Sequence, residues 1–254
     1  MTRFSANLGF LWTDRPLPDA IRAAKLAGFD AVECHWPFDM DPAVVKTALE
    51  ETGLPMLGLN TRRGNVTEGE NGLAALPGRE NEARDAIDEA LDYAARIRAP
   101  KVHVMAGFAD GAHAQETFSR NLRYACTQAG KRDQSILIEP LNRFDAPGYF
   151  LNTTQLAAEI IRDIAAPNLA LMFDCYHVGR TEGDVIGHLR VLYPIIGHIQ
   201  FAAVPDRGTP DHGDLDYGPV FAEIAALGWT QPLGAEYKPG GPTNETLGWM
   251  QVLG

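Results

Sequence analysis

Four polar residues each close a short apolar run. Glu139 ends Ser135-Ile136-Leu137-Ile138-Glu139, Asp174 ends Leu171-Met172-Phe173-Asp174, Gln200 lies in His198-Ile199-Gln200-Phe201, and Glu236 ends Leu233-Gly234-Ala235-Glu236. They stand 35, 26 and 36 residues apart, in each case about one strand-and-helix unit. Three carboxylates and an amide oxygen on consecutive strand ends form an oxygen-rich set. Such a set suits one divalent metal, Mg²⁺ or Mn²⁺, better than a sulfur-rich zinc site. Any one of these carboxylates alone could equally cap a helix or join an ion pair. Three converging without a cation between them would be costly.

The elements that must position these residues can be read from the alternation of β-prone apolar runs with stretches of helical periodicity, which argues for a parallel sheet with crossover helices. Strands are expected near 4–10, 30–35, 55–60, 101–105, 135–139, 169–174, 196–201 and 233–237. Helices are expected between them at about 17–27, 42–52, 79–98, 114–130, 153–165, 182–192, 217–227 and 243–252. Asp41-Pro42 and Gly218-Pro219 look like helix starts, and Gly28, Gly53 and Gly228 stand where helices end in a left-handed residue. Eight repeats suggest a closed (β/α)8 barrel, in which chemistry sits at the C-terminal strand ends. One polar stretch, 61–77, is longer than an ordinary βα loop and is expected to act as a lid.

The 254 residues are 45% hydrophobic and 22% charged, an ordinary globular balance that a single barrel domain spanning 1–254 accommodates. A net charge of −11 disfavours nucleic acid as a partner. No apolar run approaches a membrane span. Three cysteines without CxxC spacing fit a reducing, cytoplasmic setting. A homo-oligomer is left open.

The whole chain resembles the hydroxypyruvate isomerase family of the xylose-isomerase-like TIM barrels. The stretches that carry the likeness include Arg3-Phe4-Ser5-Ala6-Asn7-Leu8, Ile138-Glu139-Pro140-Leu141-Asn142, Asp174-Cys175-Tyr176-His177, Gly197-His198-Ile199-Gln200 and Glu236-Tyr237-Lys238-Pro239. The resemblance implies that Glu139, Asp174, Gln200 and Glu236 ligate the metal and that Glu139 and Glu236 are also the paired acid and base. Related epimerases usually carry His where this chain has Gln200. The family usually has an acidic residue in place of Ala203 and Gly in place of Asp206, a departure that bears on substrate range.

The expected activity is an aldose–ketose isomerisation, with hydroxypyruvate converted to tartronate semialdehyde by proton transfer through an enediolate. Arg207, His177 and Lys238 follow the strand ends closely and are candidate anchors for a substrate carboxylate, while His103 and Asn7 are further substrate-binding candidates. His198 shares the face of Gln200 one layer deeper and is expected to support rather than ligate. Alternatives are a 2-oxo-tetronate isomerase or ketose 3-epimerase on the same site, and a catalytically silent barrel that binds a sugar acid. An endonuclease on this barrel would need a histidine-rich multi-zinc site and a basic face.

Overall fold

A computed structural model describes residues 2–254. Eight parallel strands form one sheet: β1 (Phe4–Asn7), β2 (Ala31–Glu33), β3 (Leu59–Asn60), β4 (Lys101–His103), β5 (Ser135–Ile138), β6 (Leu169–Asp174), β7 (Ile196–Phe201) and β8 (Leu233–Ala235). Their order is β2-β1-β8-β7-β6-β5-β4-β3, so consecutive strands pair except β2 with β3, and β1 meets β8. Closure between β2 and β3 rests on a parallel bridge from Val32 to Met56. Backbone hydrogen bonds from Val32 to Pro55, Leu57 to Val32 and Cys34 to Gly58 reinforce it. The ring is thus an eight-stranded barrel, thinnest at β3.

The helices around it are α1 (Leu17–Leu26), α2 (Pro42–Thr52), α3 (Glu80–Ile97), α4 (Gly111–Gly130), α5 (Thr154–Ile164), α6 (Cys175–Thr181), α7 (Val185–Leu192), α8 (Tyr217–Ala226) and α9 (Trp249–Leu253). Local chemistry sets several ends. Asp41 accepts the Ala43 N–H and Pro42 opens α2, while Gly53 closes it in the left-handed region. Helix α8 starts at Tyr217 as expected, with Asp216 capping it by accepting the Gly218 N–H.

Two differences from the expected elements matter for the site. The sixth crossover holds an additional short helix, α6, directly after Asp174, whose carboxylate accepts the Tyr176 N–H and so starts it. The last helix is broken, with a 3₁₀ turn at Thr243–Thr246 before α9. Trp249 of α9 is fully buried and packs edge-on against Phe4 and Phe201, with ring centroids 4.9 and 5.4 Å away, fastening the C-terminal helix over β1 and β7.

Register places site residues level with one another. Asn7 pairs with Glu33 across β1 and β2, Asp174 with Gln200 across β6 and β7, and Gln200 with Gly234 across β7 and β8. Among the described residues no helix is long and apolar enough to cross a membrane, and the three cysteines are free and buried.

Candidate active site

Glu139, Gln200 and Glu236 line one pocket at the C-terminal ends of the strands, together with Phe10, His35, Trp36, Asn71, His103, Asp145, His177 and Arg207. It encloses about 170 Å³, below the roughly 300–1,000 Å³ typical of sites for drug-sized ligands, and so fits a compact molecule. A wider open cleft beside the start of α4 is lined by a single carboxylate, Asp110, and has no cluster of facing titratable groups. Volume alone therefore does not locate the chemistry.

Asp174 lies just behind the pocket, 1% exposed, with Oδ2 3.6 Å from His177 Nε2 and 3.7 Å from Arg207 Nη2. Ligand atoms of Glu139, Asp174 and His177 all fall within 4.8 Å of one another. The four strand-end residues singled out from sequence thus converge. Glu139 Oε1, Asp174 Oδ2 and Gln200 Oε1 are buried acceptors without a hydrogen-bond partner. Three orphaned oxygens of this kind fit a hard divalent cation and are otherwise costly.

His177 is placed by α6, on whose first turn it sits, and not by a loop. Its Nδ1 accepts from the Asn142 backbone N–H at 3.0 Å and lies 2.8 Å from the Asn142 side-chain amide. A neutral ring that accepts at Nδ1 carries its hydrogen on Nε2. That N–H faces Glu139 and Asp174, at 3.8 and 3.6 Å. His177 therefore offers a donor to the pocket, which suits substrate binding better than metal ligation. His103 Nδ1 lies 3.5 Å from Glu139 Oε2, and neither ring nitrogen of His103 has a hydrogen-bond partner.

Glu236 has a different environment. Asn7 Nδ2 donates to its Oε2 at 2.7 Å, Gln200 Nε2 donates to the same oxygen at 2.5 Å, and Arg207 Nη2 donates to Oε1. Asn7 Oδ1 accepts the Gly9 N–H, so both ends of this amide are occupied within the protein. Asn7 thus supports Glu236 from the end of β1. The Lys238 side chain is exposed and does not line the pocket. Its backbone N–H donates to the Arg207 carbonyl at 2.7 Å, so of the expected anchors Lys238 is the one the fold leaves outside.

Arg207 is 9% exposed and is the one Lys or Arg among the described residues lining the pocket. Its guanidinium lies 4.7 Å from the Phe10 ring centroid and 5.1 Å from that of Tyr176. Burial lowers its affinity for a proton, but Glu236, Asp174 and Glu139 override that and raise its pKa. Burial, then the charges of Glu236 and Asp174, pushes the Glu139 carboxyl well above the usual carboxylate range. Burial raises Asp174 to about 7 against the opposing pull of Arg207. For Glu236 burial acts upward, but Arg207 and then His35 outweigh it and hold the carboxyl at about 2. Burial lowers His103 to about 4 and, with Arg207, lowers His177 to about 3, so both rings are neutral.

Residues that the sequence reading passed over complete the site. Glu33 ends β2 and accepts from His198 Nε2 at 2.7 Å and Gln200 Nε2 at 3.1 Å. This gives His198 the supporting place expected of it. The signal for Glu33 was the same as for Glu139, a carboxylate closing an apolar strand. Asp145 accepts from Tyr176 Oη at 2.7 Å and from Asn142 Nδ2 at 3.0 Å, bracing the groups that hold His177.

The stretch 61–77 is fastened against the barrel and contributes Asn71 to the pocket wall. Ala74 and Ala75 N–H groups donate to the Met105 and Ala106 carbonyls, and Asn121 Nδ2 donates to the Ala74 carbonyl. Arg62 turns outward to Glu89, and Arg63 covers the Trp36 ring at 3.9 Å. Neither arginine lines the pocket.

Comparison with known proteins agrees with this architecture. The family profile described as xylose isomerase-like TIM barrel matches residues 21–253. A 2-oxo-tetronate isomerase from Cupriavidus necator is 40% identical over 99% of this chain and 98% of its own length. A hydroxypyruvate isomerase from Escherichia coli is 35% identical over 98% of both chains. The crystal structure of an AP endonuclease, family 2, from Brucella melitensis superposes with a TM-score of 0.95 at 35% identity, covering 99% of each chain. A D-psicose 3-epimerase from Clostridium cellulolyticum, at 17% identity and a TM-score of 0.80 over 97% of this chain and 89% of its own, shares the fold. The chain belongs to the hydroxypyruvate isomerase family of the xylose isomerase-like TIM barrels.

Proposed function

We propose that this chain is a metal-dependent isomerase of a small hydroxy-carbonyl acid, with hydroxypyruvate and tartronate semialdehyde as the favoured pair. The observation that carries the reading is the pair of buried glutamates in one compact pocket, Glu139 held toward its protonated form and Glu236 held ionised. Carboxyls whose surroundings push them apart in this way are suited to acid and base roles.

Glu139, Asp174, Gln200 and Glu236 would hold one Mg²⁺ or Mn²⁺, supported by the three unpaired oxygens among them. When bound, such a cation supplies positive charge against the negative charge that develops on the substrate oxygens. The remaining work falls to side chains. In the forward direction Glu236 takes a proton from the hydroxymethyl carbon and Glu139 returns one to the neighbouring carbonyl carbon, while the hydroxyl proton moves to the other oxygen. His177 Nε2–H donates to a substrate oxygen. Arg207, stacked between Phe10 and Tyr176, anchors the carboxylate. Trp36 and Phe10 limit water around the enediolate.

A second reading, a 2-oxo-tetronate isomerase using the same groups, is favoured by the 40% identity to the Cupriavidus necator protein. Endonuclease chemistry is not supported by a net charge of −11, nor by a carboxylate-rich cluster with one histidine. Turnover of hydroxypyruvate, 2-oxo-tetronates and ketohexoses, each with Mn²⁺, Mg²⁺ or chelator, tests the reading. Activity on a three- or four-carbon acid is expected, lost on chelation and restored by Mn²⁺ or Mg²⁺. Full turnover in metal-free protein, or turnover of ketohexoses alone, would refute it.

A further inference from the structure

Beneath the pocket Glu33 spans the barrel interior. It leaves β2, passes β1 and meets β7, where its Oε2 accepts from His198 Nε2 at 2.7 Å and Gln200 Nε2 at 3.1 Å. The route exists because β8 has glycine at 234. A Cβ there would collide with Glu33 Oε1 and come within 2.8 Å of Gln200 Cγ. Glu33 is 4% exposed, and the pocket wall does not include it.

We propose that Glu33 is a positioning residue that locks the Gln200 side-chain amide in the one orientation that presents Oε1 to a divalent cation. The inference rests on the reading of this site as a cation-binding isomerase. The Gln200 amide has two N–H donors and one carbonyl oxygen. Its Nε2 faces Glu33 Oε2 on one side and Glu236 Oε2 on the other, at 3.1 and 2.5 Å. Both neighbours accept and neither donates when ionised, so a flipped amide would set its oxygen against two carboxylates. The orientation therefore follows from the neighbours. With both donors spent, Oε1 is left without a partner.

Glu236 alone could not enforce this, because it is itself a ligand candidate whose lone pairs are contested. Glu33 is free of that competition. His198 donates to the same Glu33 oxygen that Gln200 uses, so the carboxylate is held from below while it holds the amide above. Groups that orient a ligand in this manner typically alter metal affinity by about 10- to 100-fold when removed.

The test is a double-mutant cycle on metal affinity, measured by titrating the full-length metal-free protein with Mn²⁺. Glu33→Leu, which removes the acceptor for the Gln200 amide, should weaken Mn²⁺ binding by about 10- to 100-fold, and Gln200→Ala should weaken it by a similar factor. In the Gln200→Ala background, Glu33→Leu should then have no further effect. Unchanged affinity in Glu33→Leu, or full additivity in the double variant, would overturn the inference, the latter by showing that Glu33 acts as a bulk charge. Absence of Mn²⁺ binding by the unaltered protein would overturn the cation-binding reading together with it. The unaltered protein gives a second measurement that does not depend on a variant folding. The Gln200 side-chain amide protons, assigned by NMR, should remain slow to exchange when Mg²⁺ saturates the site, and their release into fast exchange would also overturn the proposal.

Discussion

The two glutamates of the pocket sit in opposite surroundings. Glu236 receives hydrogen bonds from Asn7, Gln200 and Arg207. Glu139 has no hydrogen-bond donor to its Oε1, with the neutral rings of His103 at 3.5 Å and His177 at 3.8 Å and the Asp174 carboxyl also near. Both are buried, so burial does not distinguish them; the donors do. One carboxylate is held in the ionised form that a base needs, and the other is held toward the protonated form that an acid needs.

The comparison breaks most readily on the pair itself. Glu139→Gln and Glu236→Gln should each lower kcat by about a hundredfold or more, the usual scale of general acid–base catalysis. Their effects on stability should diverge. Glu139→Gln removes a buried carboxyl that no donor supports, and urea unfolding of the metal-free protein should find it no less stable. Glu236→Gln leaves Arg207 without its closest partner and should cost about 3 kcal/mol, as breaking a buried ion pair does. Equal stability losses would erase the distinction between the two sides.

A smaller effect sharpens it through pH. The folded chain keeps the Asp174 proton up to about 7, whereas the ordinary value is 3.8. The stability this group contributes is therefore complete below 3.8 and is lost as the pH rises through about 7. Glu236 has the opposite sign, held at about 2 against an ordinary 4.5. Its contribution is complete above 4.5 and is lost as the pH falls toward 2. A cation binding at Asp174 must displace that proton, and any proton Glu139 holds as well, so Mn²⁺ affinity should fall by about tenfold or more per pH unit below 7. The rise in Tm produced by Mn²⁺ should accordingly be larger at pH 8 than at pH 5.5. Equal increments would mean that the cation does not compete with the Asp174 proton.

Much of this arrangement could be read from the chain. All eight strands fall within the expected runs, and Glu139, Asp174, Gln200 and Glu236 converge as strand-end logic requires. The shortfalls have physical causes. Glu33 closes an apolar strand as Glu139 does, but its meeting with Gln200 depends on a gap at Gly234 that spacing does not reveal. Helix α6 begins on Asp174 itself, so the residue that marks the site also hides the cap. The stretch 61–77 reads as a polar loop because its fastening relies largely on backbone groups and on only three buried apolar residues, Leu73, Ala74 and Ala75. Side-chain direction beyond a strand end is beyond the reach of alternation, and that is where Lys238 and Arg207 part.

These two cations make the smallest comparison. Both follow a strand end and both were candidate anchors, yet Arg207 is 9% exposed inside the pocket while the Lys238 side chain points to solvent. Their link is a backbone hydrogen bond from Lys238 N–H to the Arg207 carbonyl, which any residue except proline can make. Arg207→Ala should therefore raise KM for a carboxylate substrate by about tenfold or more, and more than for a neutral ketose, because a charge-assisted contact is lost. Lys238→Ala should change KM by less than about twofold and leave kcat unaltered, since only an exposed side chain is removed. The amide of Lys238 should nevertheless exchange slowly with solvent deuterium in both the unaltered protein and Lys238→Ala, as the bond to Arg207 requires. A KM effect of Lys238→Ala that matches Arg207→Ala would show that the lysine turns inward over bound substrate and would restore it as an anchor.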